Sequence, residues 1–151
     1  MDILADTNIL VRRIRRSDPQ HRQTRDAVNR LKSDGHRICV TSQNLIELWA
    51  VCTRPIESNG LGLTPAYAER VLARIERSVV RLQDSDSVYP EWKRLVAQFD
   101  VSGKTTHDAR LVAAMNIHGV KSIITFNISD FMRYTEIQAV RPADVLAAPP
   151  A

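Results

Sequence analysis

The chain has 151 residues, 44% of them hydrophobic and 25% charged. A chain of this length is one domain's worth and buries about two-thirds of its unfolded surface. Its ordinary composition excludes a disordered tail, a collagen-like fibre and a disulfide scaffold, and twenty-one Lys and Arg against seventeen Asp and Glu leave it at +4.

In chain order, Ile3, Leu4 and Ala5 form a short apolar run that reads as a buried strand. A helix is expected after Asp6-Thr7-Asn8. Asp18-Pro19 opens a second helix, which runs to a glycine stop at Asp34-Gly35. Arg37 to Thr41 reads as a strand. Ser42 starts a helix through about Thr53, which Arg54-Pro55 breaks. Residues 55–63 read as a loop, and Thr64-Pro65 begins a helix to about Ser78. Val79 to Leu82 reads as a strand. Helices are expected at about 87–100 and 107–118, the latter ended by Gly119. Ser122 to Thr125 and Ile137 to Val140 read as the last two strands. Residues 1–145 are expected to form a single domain, with 146–151 as a flexible tail frayed through Ala148-Pro149-Pro150-Ala151.

Strands alternating with helices, each strand a short apolar run, predict an α/β protein. Its mainly parallel sheet is expected to be covered on both faces, an α/β/α sandwich. No apolar run approaches the roughly 20 residues of a membrane helix. The start has no basic leader followed by a long apolar stretch, so no signal peptide is expected and the location expected is cytoplasmic. Cys39 and Cys52 read as small buried thiols rather than a framework.

In parallel sheets ligands sit beyond the carboxyl ends of the strands, which singles out four acids. Asp6 ends the first strand; the competing reading is an N-cap for the next helix. Asp2 lies about 13 Å away at strand rise, at the opposite end. Glu47 sits in a helix apolar nearly all round, so burial is expected. Its neighbours at three and four residues are Gln43, Asn44, Ala50 and Val51, none of them a cation. Its competing reading is a capping-box glutamate paired with Asn44. Asp108 shares a helix face with Leu111, Val112 and Met115 and points inward with them; as a first-turn acid it would also suit the helix dipole. Asp130 follows the strand at 122–125, where a turn or cap aspartate is equally at home.

Carboxylates converging on one sheet edge raise each other's pKa. A hard divalent cation with oxygen ligands, Mg²⁺ or Mn²⁺, resolves the repulsion. With these four acids set aside, twenty-one cations face thirteen acids. A basic shell around an acidic pit suits a polyanionic substrate. Seventeen of the cations are Arg, whose planar forks suit phosphate better than an ammonium does.

Four blocks occur in the order of the PIN-domain family, which the chain resembles over about residues 1–145. They are Asp6-Thr7-Asn8, Asn44-Leu45-Ile46-Glu47-Leu48-Trp49, the run from His107 to Ala114, and Thr125-Phe126-Asn127-Ile128-Ser129-Asp130-Phe131. Within that family the chain looks like the VapC branch, toxins of type II toxin–antitoxin operons. The resemblance implies a Mg²⁺- or Mn²⁺-dependent endoribonuclease inhibited by a cognate antitoxin, with a homodimer as the expected oligomer. It implies Asp6 and Asp108 as principal metal ligands and Glu47 as a third acid, direct or through water. Asp130 or Asn127 fills a fourth position. Asn8 and Thr125 match polar positions that orient acids or water. RNA rather than DNA rests on the resemblance alone, as do the expected 5′-phosphate and 3′-hydroxyl products.

Substrate grip is expected from Arg12, Arg13, Arg15 and Arg16, just beyond Asp6, with Arg54, Lys104 and Arg110. The arginine cluster could equally be a solvated helix face, or receive an acidic segment of a partner. Ile9, Leu10 and Ile14 read first as core and second as part of a dimer or antitoxin groove. His107, His118, His21 and His36 read as structural or uninformative. The aromatics are too few for a base-stacking platform. The alternatives are a housekeeping PIN ribonuclease, a non-catalytic partner-binding domain, and a phosphoacceptor module built on Asp6 with Thr125 and Lys104 as helpers.

Overall fold

The computed structural model describes residues 1–149. Five strands form one all-parallel sheet: β1 (Asp2–Ala5), β2 (Arg37–Val40), β3 (Val80–Arg81), β4 (Ser122–Ile124) and β5 (Gln138–Val140). Their order across the sheet is β3-β2-β1-β4-β5. Eight α-helices connect and flank them: α1 (Thr7–Ile14), α2 (His21–Ser33), α3 (Ser42–Thr53), α4 (Pro65–Glu76), α5 (Val88–Gln98), α6 (Thr106–Ile117), α7 (Ile128–Phe131) and α8 (Pro142–Ala147). The expected α/β/α architecture is therefore present.

The pleat explains why both faces must be covered. Ile3, Ala5, Ile38, Val40 and Ile124 point to one side, where they pack with α1, α2, α3 and α4. Leu4, Cys39 and Ile123 point to the other and pack with α5 and α6. Alternate residues of each strand thus enter two separate cores, so the strands read as unbroken apolar runs rather than alternating ones. Ile9 and Leu10 are fully buried in the first core, as expected, while Ile14 is only partly covered. Cys39 and Cys52 are buried free thiols. Among the described residues no helix is long and apolar enough to cross a membrane.

The structure differs from expectation mainly at the periphery. The second helix starts at His21 rather than at Asp18-Pro19, because the Asp18 carboxylate accepts the Gln20 amide at 2.8 Å and closes a turn first. β3 keeps only two residues, both exposed at the sheet edge. α7 and α8 were not expected; each is too short to show a helical period, and α8 is announced only by Pro142 at its first turn. Residues 146 and 147, expected in the tail, finish α8. Pro150 and Ala151, the end of that tail, lie outside the described residues.

The loop after α3 folds back on the helix end. Leu61 and Leu63 amides donate to the Val51 and Cys52 carbonyls at 2.9 and 2.8 Å. Gly60 is required there, since a Cβ would lie 2.0 Å from the Arg54 carbonyl oxygen. This strap lays Leu61 and Leu63 beside α4.

Leu48 is fully buried on α3 beside Glu47. Leu48→Ala is expected to lower the unfolding free energy by about 2–5 kcal/mol. Urea unfolding followed by circular dichroism measures it, and a loss below about 1 kcal/mol would contradict the packing described.

Candidate metal centre

The strand order reverses at β1, with β2 on one side and β4 on the other. Chain segments leaving β1 and β4 therefore part to opposite faces and leave a crevice beyond their carboxyl ends. Asp6 follows β1 directly and is 8% exposed. Its Oδ1 caps α1 by accepting the Thr7 amide at 2.7 Å. Its Oδ2 accepts the Thr125 hydroxyl at 2.7 Å and the Asn8 amide nitrogen at 2.9 Å. The N-cap reading and the site reading of Asp6 are thus compatible: one oxygen caps, while the other faces groups that follow β4.

Asn8 and Thr125, both expected as supporting polar groups, are joined to each other. The Asn8 Nδ2 donates to Thr125 Oγ1 at 3.2 Å, and Asn8 Oδ1 accepts the Phe126 amide at 3.3 Å. Asn127 lies exposed just before α7, and its amide donates to Thr125 Oγ1 at 3.0 Å.

Glu47 is half-buried rather than buried, because α3 is not covered all round: Ile46 beside it is 69% exposed. The capping box at the start of α3 does not use Glu47 either. Thr41 and Asn44 close that box between themselves. Glu47 instead accepts the Thr7 hydroxyl at 2.6 Å and the Gln43 amide nitrogen at 2.9 Å. Asn44 donates to the same Thr7 oxygen at 3.2 Å, so Thr7 links the cap of α3 to the carboxylate beside Asp6. Sequence reasoning passed over Thr7 and Gln43. The signal for Gln43 was its spacing four residues before Glu47, which places both on one helix face.

Asp108 is the third residue of α6 and half-buried. Trp92 anchors the start of that helix by donating from its ring nitrogen to the Thr106 carbonyl at 2.8 Å. Burial first, then the charges of Asp130, Asp6 and Glu47, push the Asp108 carboxyl up to about 6. Asp6 is also pushed up, by burial most and then by Glu47 and Asp130, against the opposing hydrogen bonds from Thr125 and Thr7. All four acids therefore share one field. Asp130, carried by α7, reaches Asp6 and Asp108 with its charge, which the neutral side chain of Asn127 cannot do. None of the four is in an ion pair among the described residues.

Hard oxygen donors with uncompensated negative charge fit a divalent ion of the Mg²⁺ or Mn²⁺ kind. Among the described residues, no three carboxylate, imidazole or thiol groups stand close enough together to hold a metal ion by themselves. Mg²⁺ is bound through one or two carboxylates and completes its shell with water.

The basic residues divide. Arg12 is held at this edge by Gln20 at 2.6 Å, by the Asn8 carbonyl at 3.2 Å and over the Phe126 ring at 4.4 Å. Arg110 donates to Gln43 Oε1 at 3.2 Å. Lys104 is exposed in a 3-10 turn before α6. Arg54 is exposed beyond the far end of α3 and donates to the Asn59 carbonyl at 3.3 Å. Arg13, Arg15 and Arg16 line a groove of about 950 Å³ between α1, α2, α4 and the strap, which none of the four acids lines.

The PIN domain family model matches residues 3–137. No curated protein matches the chain. Among solved structures, it resembles VapBC2 from Rickettsia felis bound to a promoter DNA fragment, at 16% identity and TM-score 0.70 over 93% of this chain and 98% of that one. VapBC-1 from nontypeable Haemophilus influenzae matches at 15% identity and TM-score 0.69, over 95% and 99%. The sarcin-ricin loop cleaving toxin VapC20 from Mycobacterium tuberculosis matches at 19% identity and TM-score 0.54, over 80% and 86%.

The raised pKa of Asp108 carries a stability sign. Its ordinary value is 3.8 and its folded value about 6, so its contribution is complete below 3.8 and is lost as pH rises through about 6. Asp108→Asn is therefore expected to raise the metal-free melting temperature at pH 7.5 by about 2–4 °C, the shift that roughly 1 kcal/mol gives a chain of this size. It is also expected to abolish stabilisation by millimolar Mn²⁺. Differential scanning fluorimetry at pH 5 and 7.5 reads both, and a variant still stabilised by Mn²⁺ would remove Asp108 from the site.

Proposed function

The chain belongs to the PIN-domain family, and from that premise we propose that it is a Mg²⁺- or Mn²⁺-dependent endoribonuclease, the toxin of a VapC-type toxin–antitoxin pair. The observation that carries this reading is the group of four acids at the sheet's switch point, coupled by charge and free of any ion pair among the described residues. Asp6, Asp108, Glu47 and Asp130 would hold the ion. When bound, it would lower the pKa of a water and stabilise charge on the non-bridging phosphate oxygens.

The protein's own groups have separable tasks. Thr125 and Asn8 hold Asp6 Oδ2 from two sides. Thr7 and Gln43 fix both oxygens of Glu47, which aims that carboxylate to accept a proton from an attacking water. Arg12 lies at the same edge and would supply charge for backbone phosphates, joined by Lys104 from the turn that precedes α6. The reading includes a cytoplasmic location, where RNA and antitoxin are made, and a homodimer, which sedimentation velocity would read.

The antitoxin is assigned to the groove lined by Arg13, Arg15 and Arg16. Arg25 and Arg74 join them there, with no Asp or Glu in the lining. Between the arginines run Ile14, Leu61, Leu63, Val71 and Ile75. The Arg13 Nη1 is buried without a hydrogen-bond partner, and burial and the nearby Arg74 charge both disfavour its cation. An amphipathic segment bearing carboxylates answers both the apolar stripe and the uncompensated charge. Nucleic acid would leave the apolar stripe uncovered.

Two experiments follow. Purified protein with labelled structured RNA and Mg²⁺ or Mn²⁺ is expected to release 5′-phosphate fragments, and Asp6→Asn or added EDTA to reduce cleavage to background. Cleavage that persists in both would exclude the metal mechanism. For the groove, Arg13→Ala is expected to weaken the complex with the product of the adjacent reading frame by about 2–4 kcal/mol, measured by calorimetry, with RNA cleavage by the free protein unchanged. An affinity equal to that of the parent protein would move the partner elsewhere.

A further inference from the structure

We propose that Gln43 is a positioning residue that sets the gap between Glu47 and Asp108. The inference rests on reading the acids as a divalent-metal site, and it assigns a role to a side chain outside the acid set. Gln43 Nε2 donates to Glu47 Oε1 at 2.9 Å and to the His107 carbonyl at 2.9 Å. Its Oε1 accepts from Arg110 Nη1 at 3.2 Å. Two acceptors on the nitrogen side and a cation on the oxygen side admit one orientation of the amide. A flip would set oxygen against two oxygens and nitrogen against a guanidinium.

The placement gives this amide its consequence. α3 packs on one face of the sheet and α6 on the other. Among the described residues, every hydrogen bond between those two helices runs through Gln43. One end holds the Glu47 carboxylate, and the same nitrogen holds the carbonyl of the residue immediately before Asp108. The Arg110 side is braced in turn. Arg110 Nη2 faces Asp84 at 3.6 Å, and Asp84 accepts the Ser42 hydroxyl at 2.6 Å.

Glu47 and Asp108 repel, and the Glu47 charge is among the causes that push Asp108 up. An unrestrained gap would widen under that force. A lysine or arginine reaching between them would close it but neutralise the charge that an ion needs. A neutral amide restrains the carboxylate by one oxygen and leaves its charge, with further lone pairs free. Gln43 thus does what a cation at that position could not.

The test uses the full chain with Mn²⁺ as probe. Gln43→Met keeps the length and volume but has no amide, and Gln43→Glu keeps the shape but adds a negative charge. Mn²⁺ dissociation constants come from electron paramagnetic resonance of free ion, and melting temperatures are taken without metal. Gln43→Met is expected to bind Mn²⁺ about 10–100-fold more weakly, the loss typical of groups that orient metal ligands. Its metal-free melting temperature is expected to stay within about 2 °C of the parent, and its cleavage deficit to be recovered at raised Mn²⁺. Gln43→Glu, which sets a carboxylate against the Glu47 oxygen and the His107 carbonyl, is expected to have a lower metal-free melting temperature than Gln43→Met. Parent-like Mn²⁺ affinity in Gln43→Met would overturn the positioning role alone. A parent protein that takes up no Mn²⁺ would overturn the metal-site reading beneath it.

Discussion

Repulsion among four carboxylates at one edge of the sheet is the constraint to which the rest of the molecule responds. Asp6 and Asp108 are both driven toward protonation, chiefly by burial and then by their acidic neighbours. A fold under selection for stability alone would place a cation there or replace an acid with an amide. This one surrounds two of the acids with neutral donors instead: the Thr7 amide, Thr125 and Asn8 for Asp6, and the Thr7 hydroxyl and Gln43 for Glu47. Neutral donors stabilise carboxylates without cancelling their charge, so the strain survives folding and is available to a ligand.

The four acids are not equivalent. Asp6 and Glu47 have both oxygens engaged by hydrogen bonds. On Asp108 burial and charge act alone, and Asp130 sits on a four-residue helix. The Asp6 and Glu47 carboxylates are preorganised by the β1–α1 and α3 junctions, whereas the Asp108 and Asp130 carboxylates accept no hydrogen bond among the described residues and keep their lone pairs for a ligand.

How much of this was legible in the sequence depends on the range of the interaction. β1, β2 and β4 were readable as unbroken apolar runs, and the long helices because each buries a face whose period lies within one segment. Asp6 and Asp108 stood out because their positions, after a strand and on an apolar helix face, are local facts. α7 and α8 were not readable, since four to six residues show no helical period. Thr7 was passed over because its partner lies forty residues on, at Glu47, and spacing along one helix cannot report a contact between two. The arginines of α1 show the same limit. Their proximity to Asp6 in sequence suggested one surface, but a helix that starts at an acid and ends at a cation points them to different places.

That helix connects the acidic site to the groove proposed for the antitoxin. α1 begins at the Asp6 cap and ends at Ile14, with Arg12 and Arg13 in its last turn. Its eight residues span about 12 Å at helical rise. The first-turn amides, with Thr7 donating to the Asp6 carboxylate, favour the negative site, and the last turn favours the arginine groove. One short helix therefore serves opposite charges at its two ends. An extended segment of about four residues covers the same distance, so a chain seated among Arg13, Arg15 and Arg16 is within reach of the Asp6 edge. Control of the acidic site by a groove-bound partner would then need no conformational change in the sheet, only occupancy.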